Sequence, residues 1–305
     1  MLKLNWKKLL CSIAAVAAAT VLAITSAGST AMTAHAAAAA FQTTGQTQTI
    51  SDTVAGSTYA ILVNQASGTV IAQKNGNTIM YPASMTKVMT LLVAADYVSD
   101  LSVKITITQD IIDYCIAHDC STVGFTAGET VTMMDLLWGT ILPSGADAAL
   151  ALARYIAGSE EKFVALMNEK AAALGMTNTH FANCTGLYND AHYSTCNDIA
   201  ILMNAAVQSD LALTVLATRT YTTTATTQHP SGISIKNLFL TRSDALYASG
   251  VVVSAKTGFI NASGYCAVSY FVSSTGTPYI CVTGNASSSL NAVYDHQNIY
   301  TVFAQ

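Results

Sequence analysis

The sequence predicts an α+β fold: one antiparallel sheet built from both chain ends, flanked by helices, with an all-helical insertion at about 98–208. Three observations carry this prediction. Runs rich in β-branched and aromatic residues, bounded by turn residues, lie near the start (57–64 and 69–73) and near the end (250–255, 265–272 and 279–283). Segments of helix-like apolar density fill the middle of the chain. Between the first strands and that middle sits 81–97, Tyr-Pro-Ala-Ser-Met-Thr-Lys-Val-Met-Thr-Leu-Leu-Val-Ala-Ala-Asp-Tyr. After Ser84 this segment is apolar on nearly every face, the pattern of a buried helix. The 305 residues are 51% hydrophobic and 10% charged, against about a quarter charged in ordinary domains, so a large core is easily built.

Residues 1–36 read as a secretory signal peptide. Lys3, Lys7 and Lys8 form a positive start, an uncharged apolar run covers 9–24, and Ala34-His35-Ala36 is a small-x-small cleavage site. An uncleaved anchor is the alternative, because the apolar run is long. Cys11 sits too early in that run to be a lipid-attachment cysteine. The Ala-, Thr- and Gln-rich stretch 37–52 reads as a flexible spacer, and 53–305 as the folded domain. The runs 57–64 and 69–73 are joined by Gly-containing 65–68 into a hairpin. Pro82 stands at the entrance of the apolar helix, where proline is tolerated. Helices are expected at 135–140, 146–157, 159–174 and 198–206. Ser159 opens the third of these and Gly175 closes it. Residues 183–195 form a polar loop, and Thr-rich 220–227 is strand or loop. The turn 273–277 joins two late strands, and 291–303 forms a closing helix.

The formal net charge is -4, with no Lys/Arg cluster beyond the first eight residues, so nucleic-acid binding is disfavoured. Cys115, Cys120, Cys184, Cys196, Cys266 and Cys281 fall into three sequence-local pairs. In an exported chain they suggest three disulfide staples of open connectivity, with free buried thiols as the alternative. Their spacing does not suit a zinc site, and no metal or other cofactor is expected.

Three short stretches carry chemistry. Lys87 lies in the first turn of the apolar helix, and lysine is rarely buried unless paired. Ser84 shares its face three residues earlier, so a hydroxyl stands beside a desolvated amine that can take its proton. The helix N-terminus offers N–H groups to a developing oxyanion. Ser144, in Pro-Ser-Gly-Ala, precedes a helix and reads first as a cap. Lys256-Thr257-Gly258 follows a strand; the first two can hold a carboxylate, and Gly258 lets a substrate backbone lie close.

In this order, Ser-x-x-Lys, a Ser-x-Asn-like motif and Lys-Thr-Gly resemble the marks of penicillin-binding proteins and serine β-lactamases. With Phe181-Ala-Asn183, Thr185-Gly-Leu187, His192-Tyr-Ser-Thr195 and the run from Lys256 to Cys266, residues 55–303 resemble the low-molecular-mass D-alanyl-D-alanine carboxypeptidases. The resemblance implies Ser84 as acylated nucleophile, Lys87 as its base and Ser144 as proton relay. Lys256 and Thr257 would bind the substrate's terminal carboxylate. The backbone N–H groups of Ser84 and Phe259 would form the oxyanion hole. It implies a peptidoglycan stem peptide ending in D-Ala-D-Ala as substrate, β-lactams as acylating mimics, and an extracytoplasmic place of action.

Two departures stand out. Ala146 occupies the position of the expected Asn, and the chain stops soon after the last strand, so no C-terminal membrane anchor is expected. A β-lactamase is disfavoured because Thr179-His-Phe-Ala-Asn-Cys holds no glutamate where the commonest class has one; Glu160, Glu161 and Glu169 read as solvated charges. A DD-endopeptidase or transpeptidase differs only in acyl donor or acceptor. A catalytically impaired wall-binding homologue draws its support from Ala146. A Ser-His-Asp hydrolase lacks its Gly-x-Ser-x-Gly elbow, and His192 reads as a structural loop residue.

Overall fold

Strand pairing joins the two ends of the chain. The computed structural model describes residues 41–243, 246–247 and 249–304. Strands β1 (Gln48–Thr49), β2 (Tyr59–Asn64) and β3 (Thr69–Lys74) come from the start. Short pairs β4 (Lys104–Thr106) with β5 (Thr130–Thr132), and β6 (Thr220–Thr222) with β7 (Ser234–Lys236), lie outside the main sheet. Strands β8 (Leu246–Tyr247), β9 (Gly250–Ile260), β10 (Gly264–Ser273) and β11 (Pro278–Ala286) come from the end. The seven-stranded sheet runs β1-β3-β2-β11-β10-β9-β8, antiparallel except for the β1–β3 pair. Its seam is β2 against β11, with Ile61 opposite Val282.

Side chains alternate across this sheet and fill two cores. Ile61, Val63, Val268, Ile280 and Val282 face the helical part of the chain. Ala60, Leu62, Ala267, Phe271 and Cys281 face the other way, towards Ile299 and Tyr300 of the closing helix. Phe271 and Tyr300 stack with ring centroids 4.1 Å apart.

The helices are α1 (Lys87–Tyr97), α2 (Gln109–Ala117), α3 (Met133–Ile141), α4 (Ala146–Ala157), α5 (Glu160–Leu174), α6 (Cys196–Val207), α7 (Asp210–Ala217) and α8 (Ser289–Phe303). Helix α1 is buried from Lys87 through Ala94 because α3, α4, α5 and α6 surround it. It leaves the core at Asp96, which pairs with Lys170 of α5 at 2.7 Å. Ser159 caps α5 by accepting from the Lys162 N–H, and Gly175 ends it in the left-handed region at φ 78°. Among the described residues no single helix is long and apolar enough to cross a membrane.

The structure corrects four expectations. The stretch 41–52 is no spacer: Phe41 and Ile50 are buried, and β1 pairs in parallel with β3. The insertion is not all helical, since β4 and β5 pair within it. Strand β9 runs through Lys256, Thr257 and Gly258 rather than ending before them. The six cysteines are free thiols, so none of the expected disulfide staples is present in this structure. Cys266 and Cys281 face opposite cores, since Cys281 pairs with Ser269 and Cys266 lies an odd number of residues away. The expected signal peptide, residues 1–36, and residues 37–40 of the expected spacer lie outside the described residues.

One clasp closes the two ends. Asp295 of α8 is buried and accepts from the Gly56 N–H (3.0 Å), the Ser57 N–H (2.8 Å) and the Ser57 hydroxyl, at the entry to β2. Asp295→Ala leaves these donors without a partner and is expected to lower stability by about 1–3 kcal/mol. Thermal denaturation reads this as a fall of several degrees in the midpoint; an unchanged midpoint means that the clasp contributes nothing.

Candidate active site

Ser84 sits on a 3₁₀ turn, Ala83–Thr86, that leads into α1. Ala83 is held in the left-handed region at φ 48°, a conformation that a β-carbon disfavours. The turn is wedged between two glycines. A Cβ on Gly186, itself at φ 81°, would stand 2.1 Å from the Ala83 carbonyl oxygen. A Cβ on Gly258 would stand 3.0 Å from the Ser84 nitrogen. A side chain at Gly186 would displace the turn, and one at Gly258 would press tightly against it.

Lys87 is 2% exposed. Its Nζ donates to Ser84 Oγ at 3.1 Å and to the Thr185 carbonyl at 2.6 Å. Burial lowers its pKa to about 8, opposed by the negative character of Cys184, Cys120, Asp147 and Cys115. The carbonyl that meets it is placed by Asn183. Asn183 Oδ1 accepts from the Thr185 N–H (3.2 Å), the Thr185 hydroxyl (3.1 Å) and the Gly186 N–H (2.7 Å), while Nδ2 donates to the Leu187 carbonyl (3.0 Å). Thr90 donates to the Cys184 carbonyl at 2.7 Å, and Glu160 accepts from the Cys184 N–H at 3.0 Å. Glu160 is therefore no free surface charge, contrary to the expectation from sequence.

Ser144 lies across from Ser84, in the loop between α3 and α4, at φ 66°. It does not cap α4, whose N-cap is Gly145. Instead its Oγ accepts from Lys256 Nζ at 2.9 Å, and Lys256 also donates to the Thr257 carbonyl at 2.7 Å. Lys256 is 2% exposed; burial, and then the charge of Lys87, push its pKa well below the usual lysine range. An amine so enclosed reaches a ligand through Ser144 and Thr257 more readily than directly. Ser84, Ser144, Thr257 and Gly258 share a cavity of about 300 Å³ with Arg242. Arg242 carried no sequence signal; it stands in no motif and comes to the cavity only through the fold. Phe259 is 47% exposed and stacks on Tyr265 at 4.3 Å.

A larger cleft of about 660 Å³ opens on the other side of Ser84 and is lined by Lys87, Cys120, Ala146, Tyr188 and Phe259. Its outer wall is the 118–125 loop. The buried Asp147 carboxylate holds that loop by accepting from the Val123 N–H (2.9 Å) and Gly124 N–H (3.3 Å), and the Ala146 N–H donates to the Ser121 carbonyl at 2.8 Å. Burial raises the Asp147 pKa. His192 is structural, as its loop position suggested. The Ala182 N–H donates to Nδ1 at 3.2 Å, so Nε2 carries the proton and donates to Thr86 Oγ1 at 2.7 Å. A serine hydroxyl on a buried amine, facing a second serine on a second buried amine, is equipped for acyl transfer with separate paths for the incoming and outgoing protons.

Fold and site together define a class, the DD-peptidases of the penicillin-binding fold. The chain superposes on the crystal structure of the Streptomyces K15 DD-transpeptidase with a TM-score of 0.75 at 29% identity, covering 82% of this chain and 98% of that one. It superposes on a D-alanyl-D-alanine carboxypeptidase from Mycobacterium tuberculosis H37Rv with a TM-score of 0.69 at 26% identity, covering 80% and 91%. The chain belongs to the D-alanyl-D-alanine carboxypeptidase family, whose model matches residues 43–288. It is 33% identical over 237 residues to the D-alanyl-D-alanine carboxypeptidase of Streptomyces sp. strain K15, covering 75% of this chain and 80% of that one. It is 38% identical over 143 residues to D-alanyl-D-alanine carboxypeptidase DacF of Bacillus subtilis strain 168, covering 47% of this chain but only 37% of the relative.

Two buried histidines make stability depend on pH. Burial lowers the pKa of His192 to about 4 and of His296 to about 3. Both are neutral in the folded state, whereas the unfolded chain protonates them below about 6.5. The unfolded state therefore binds more protons below that pH, and stability falls as pH falls. Between pH 7 and pH 5 each histidine is expected to lower the unfolding free energy by about 2 kcal/mol. Urea titrations at the two values check this; equal midpoints would contradict the neutral assignment.

Proposed function

We propose that this protein is a serine-type D-Ala-D-Ala carboxypeptidase acting through an acyl-enzyme on Ser84. The observation that carries the proposal is the 3.1 Å contact between Ser84 Oγ and the amine of Lys87, buried and brought close to neutrality. The substrate is a peptidoglycan stem peptide ending in D-Ala-D-Ala, met outside the cytoplasm, and β-lactams acylate the same serine.

Its backbone lies along the edge of β9, which β8 covers only at Gly250 and Val251. The terminal carboxylate rests against the Thr257 hydroxyl and the Arg242 guanidinium, in the field of Lys256. Neutral Lys87 takes the Ser84 proton as Oγ attacks the carbonyl of the penultimate D-alanine. The oxyanion is held by the N–H groups of Ser84 and Phe259, a reading supported by the close approach of Gly258 to the Ser84 nitrogen. Ser144, resupplied from Lys256, passes a proton to the departing amine of D-alanine. Water then attacks the ester. Ala146 leaves the substrate amide without the contact that an Asn would supply. A second reading, acyl transfer to an amine instead of water, is favoured by the likeness to the Streptomyces K15 DD-transpeptidase.

Incubation with penicillin is expected to add one acyl group to Ser84, read by peptide mass spectrometry, and Ser84→Ala to abolish it. The same protein is expected to release D-alanine from a diacyl-D-Ala-D-Ala peptide. No adduct on Ser84 would refute the acylation mechanism, whereas an adduct without D-alanine release would favour an impaired wall-binding homologue.

Acylation should also report Lys87. Its base form is the neutral amine, so the second-order rate is expected to rise with pH and level off above about 8. Stopped-flow rates with a fluorescent penicillin test this. A rate flat from pH 6 to 9 would exclude Lys87 as the titrating base.

A further inference from the structure

Cys115 and Cys120 are brought together by the end of α2. Cys115 lies in its last turn and is buried. Asp119, at φ 49°, turns the chain back, so the Cys120 N–H donates to the Cys115 carbonyl at 3.0 Å. Both cysteines line a cavity of about 350 Å³ on the outer side of the loop. Cys120 alone also lines the main cleft, with Ser84, Lys87 and Ala146. It is half-buried, whereas Cys184, Cys196, Cys266 and Cys281 are buried thiols whose ionisation burial suppresses.

We propose that Cys115 and Cys120 are a dithiol–disulfide pair in the wall of the catalytic cleft, oxidised by organic disulfides, and that its state sets the rate of Ser84 acylation. The proposal rests on the reading of Ser84 and Lys87 as the acylating pair. The neighbouring Cys115 thiol, helped by Lys87 and His118, lowers the Cys120 pKa to about 7, which makes Cys120 the attacking sulfur. Its thiolate attacks one sulfur of the oxidant and expels the other half as a thiolate, leaving a mixed disulfide. Cys115 loses its proton to solvent and attacks Cys120 Sγ, expelling the second half. Two protein thiols become one disulfide, and one oxidant disulfide becomes two thiols.

The consequence for Lys87 has a direction. The groups that bear on it electrostatically are Cys184, Cys120, Asp147 and Cys115, with Lys256 and His192 affected in turn. Of the four sulfur and oxygen acids, Cys120 is the accessible one that ionises near neutrality. Its thiolate favours protonated Lys87, whereas a disulfide carries no charge. Oxidation therefore enlarges the neutral fraction of Lys87, and acylation is expected to quicken.

The test uses the full chain, reduced and then exposed to excess oxidised glutathione, with differential alkylation, peptide mapping and fluorescent-penicillin acylation at neutral pH. The expected result is loss of two alkylatable thiols, a bond mapped to Cys115 and Cys120, faster acylation, and reversal by dithiothreitol. Cys115→Ser is expected to stop at a glutathione adduct on Cys120. Free Cys115 and Cys120 after oxidation would overturn the proposal, as would a bond that leaves acylation unchanged or slower. Absence of Ser84 acylation in both states would overturn the acylation reading and the rate-setting claim with it, while the thiol map would still decide whether the bond forms.

Discussion

The burial of Lys87 is the constraint on which the rest of the site depends. An ammonium removed from water is costly by several kcal/mol unless it finds partners. Here the cost is met by moving the group towards its neutral form and by giving it two acceptors, Ser84 Oγ and the Thr185 carbonyl. Both acceptors are themselves held. Asn183 folds the Thr185 turn with four hydrogen bonds, and the left-handed Ala83 sets the turn that carries Ser84. The amine is thus drawn towards its neutral form because its surroundings are apolar on the helix side and polar at only a few points.

The sheet supplies the second half of the arrangement. Pairing of β2 with β11 brings the start of the chain to the end of it, and the segment after β3 then passes directly in front of β9. Gly258 permits that contact. Lys256, on the same strand, is buried beneath Ser144, so two lysines share one small volume. The charge of Lys87 adds to burial in opposing protonation of Lys256. The strained Ser144 faces Ser84 because the α3–α4 loop is pinned through Asp147 and the 118–125 loop.

Where physical effects were local, they were legible in the amino-acid order. Ser84 and Lys87 lie three residues apart at a helix start, and one turn of backbone brings them together whatever the tertiary structure. Ser159 and Gly175 end α5 through contacts within four residues. The five principal strands and the closing helix followed from residue type and turn signals. Where the outcome depended on distant partners, composition misled. Residues 41–52 look like a polar spacer, yet Phe41 and Ile50 find cover on the sheet. Cys266 and Cys281 look like a pair, yet strand register turns them to opposite cores.

The amino-acid sequence by itself determined the pairing of Ser84 with Lys87, the strand that leads to Lys256 and Thr257, and the absence of an amide at position 146. Each is a matter of residue type and short spacing. Tertiary structure alone decided that the Thr185 carbonyl meets Lys87, that Ser144 accepts from Lys256 instead of capping α4, that Arg242 reaches the cavity, and that Cys120 enters the cleft wall. Those contacts join segments far apart in the chain, and their geometry comes from sheet register and helix packing, which no local pattern encodes.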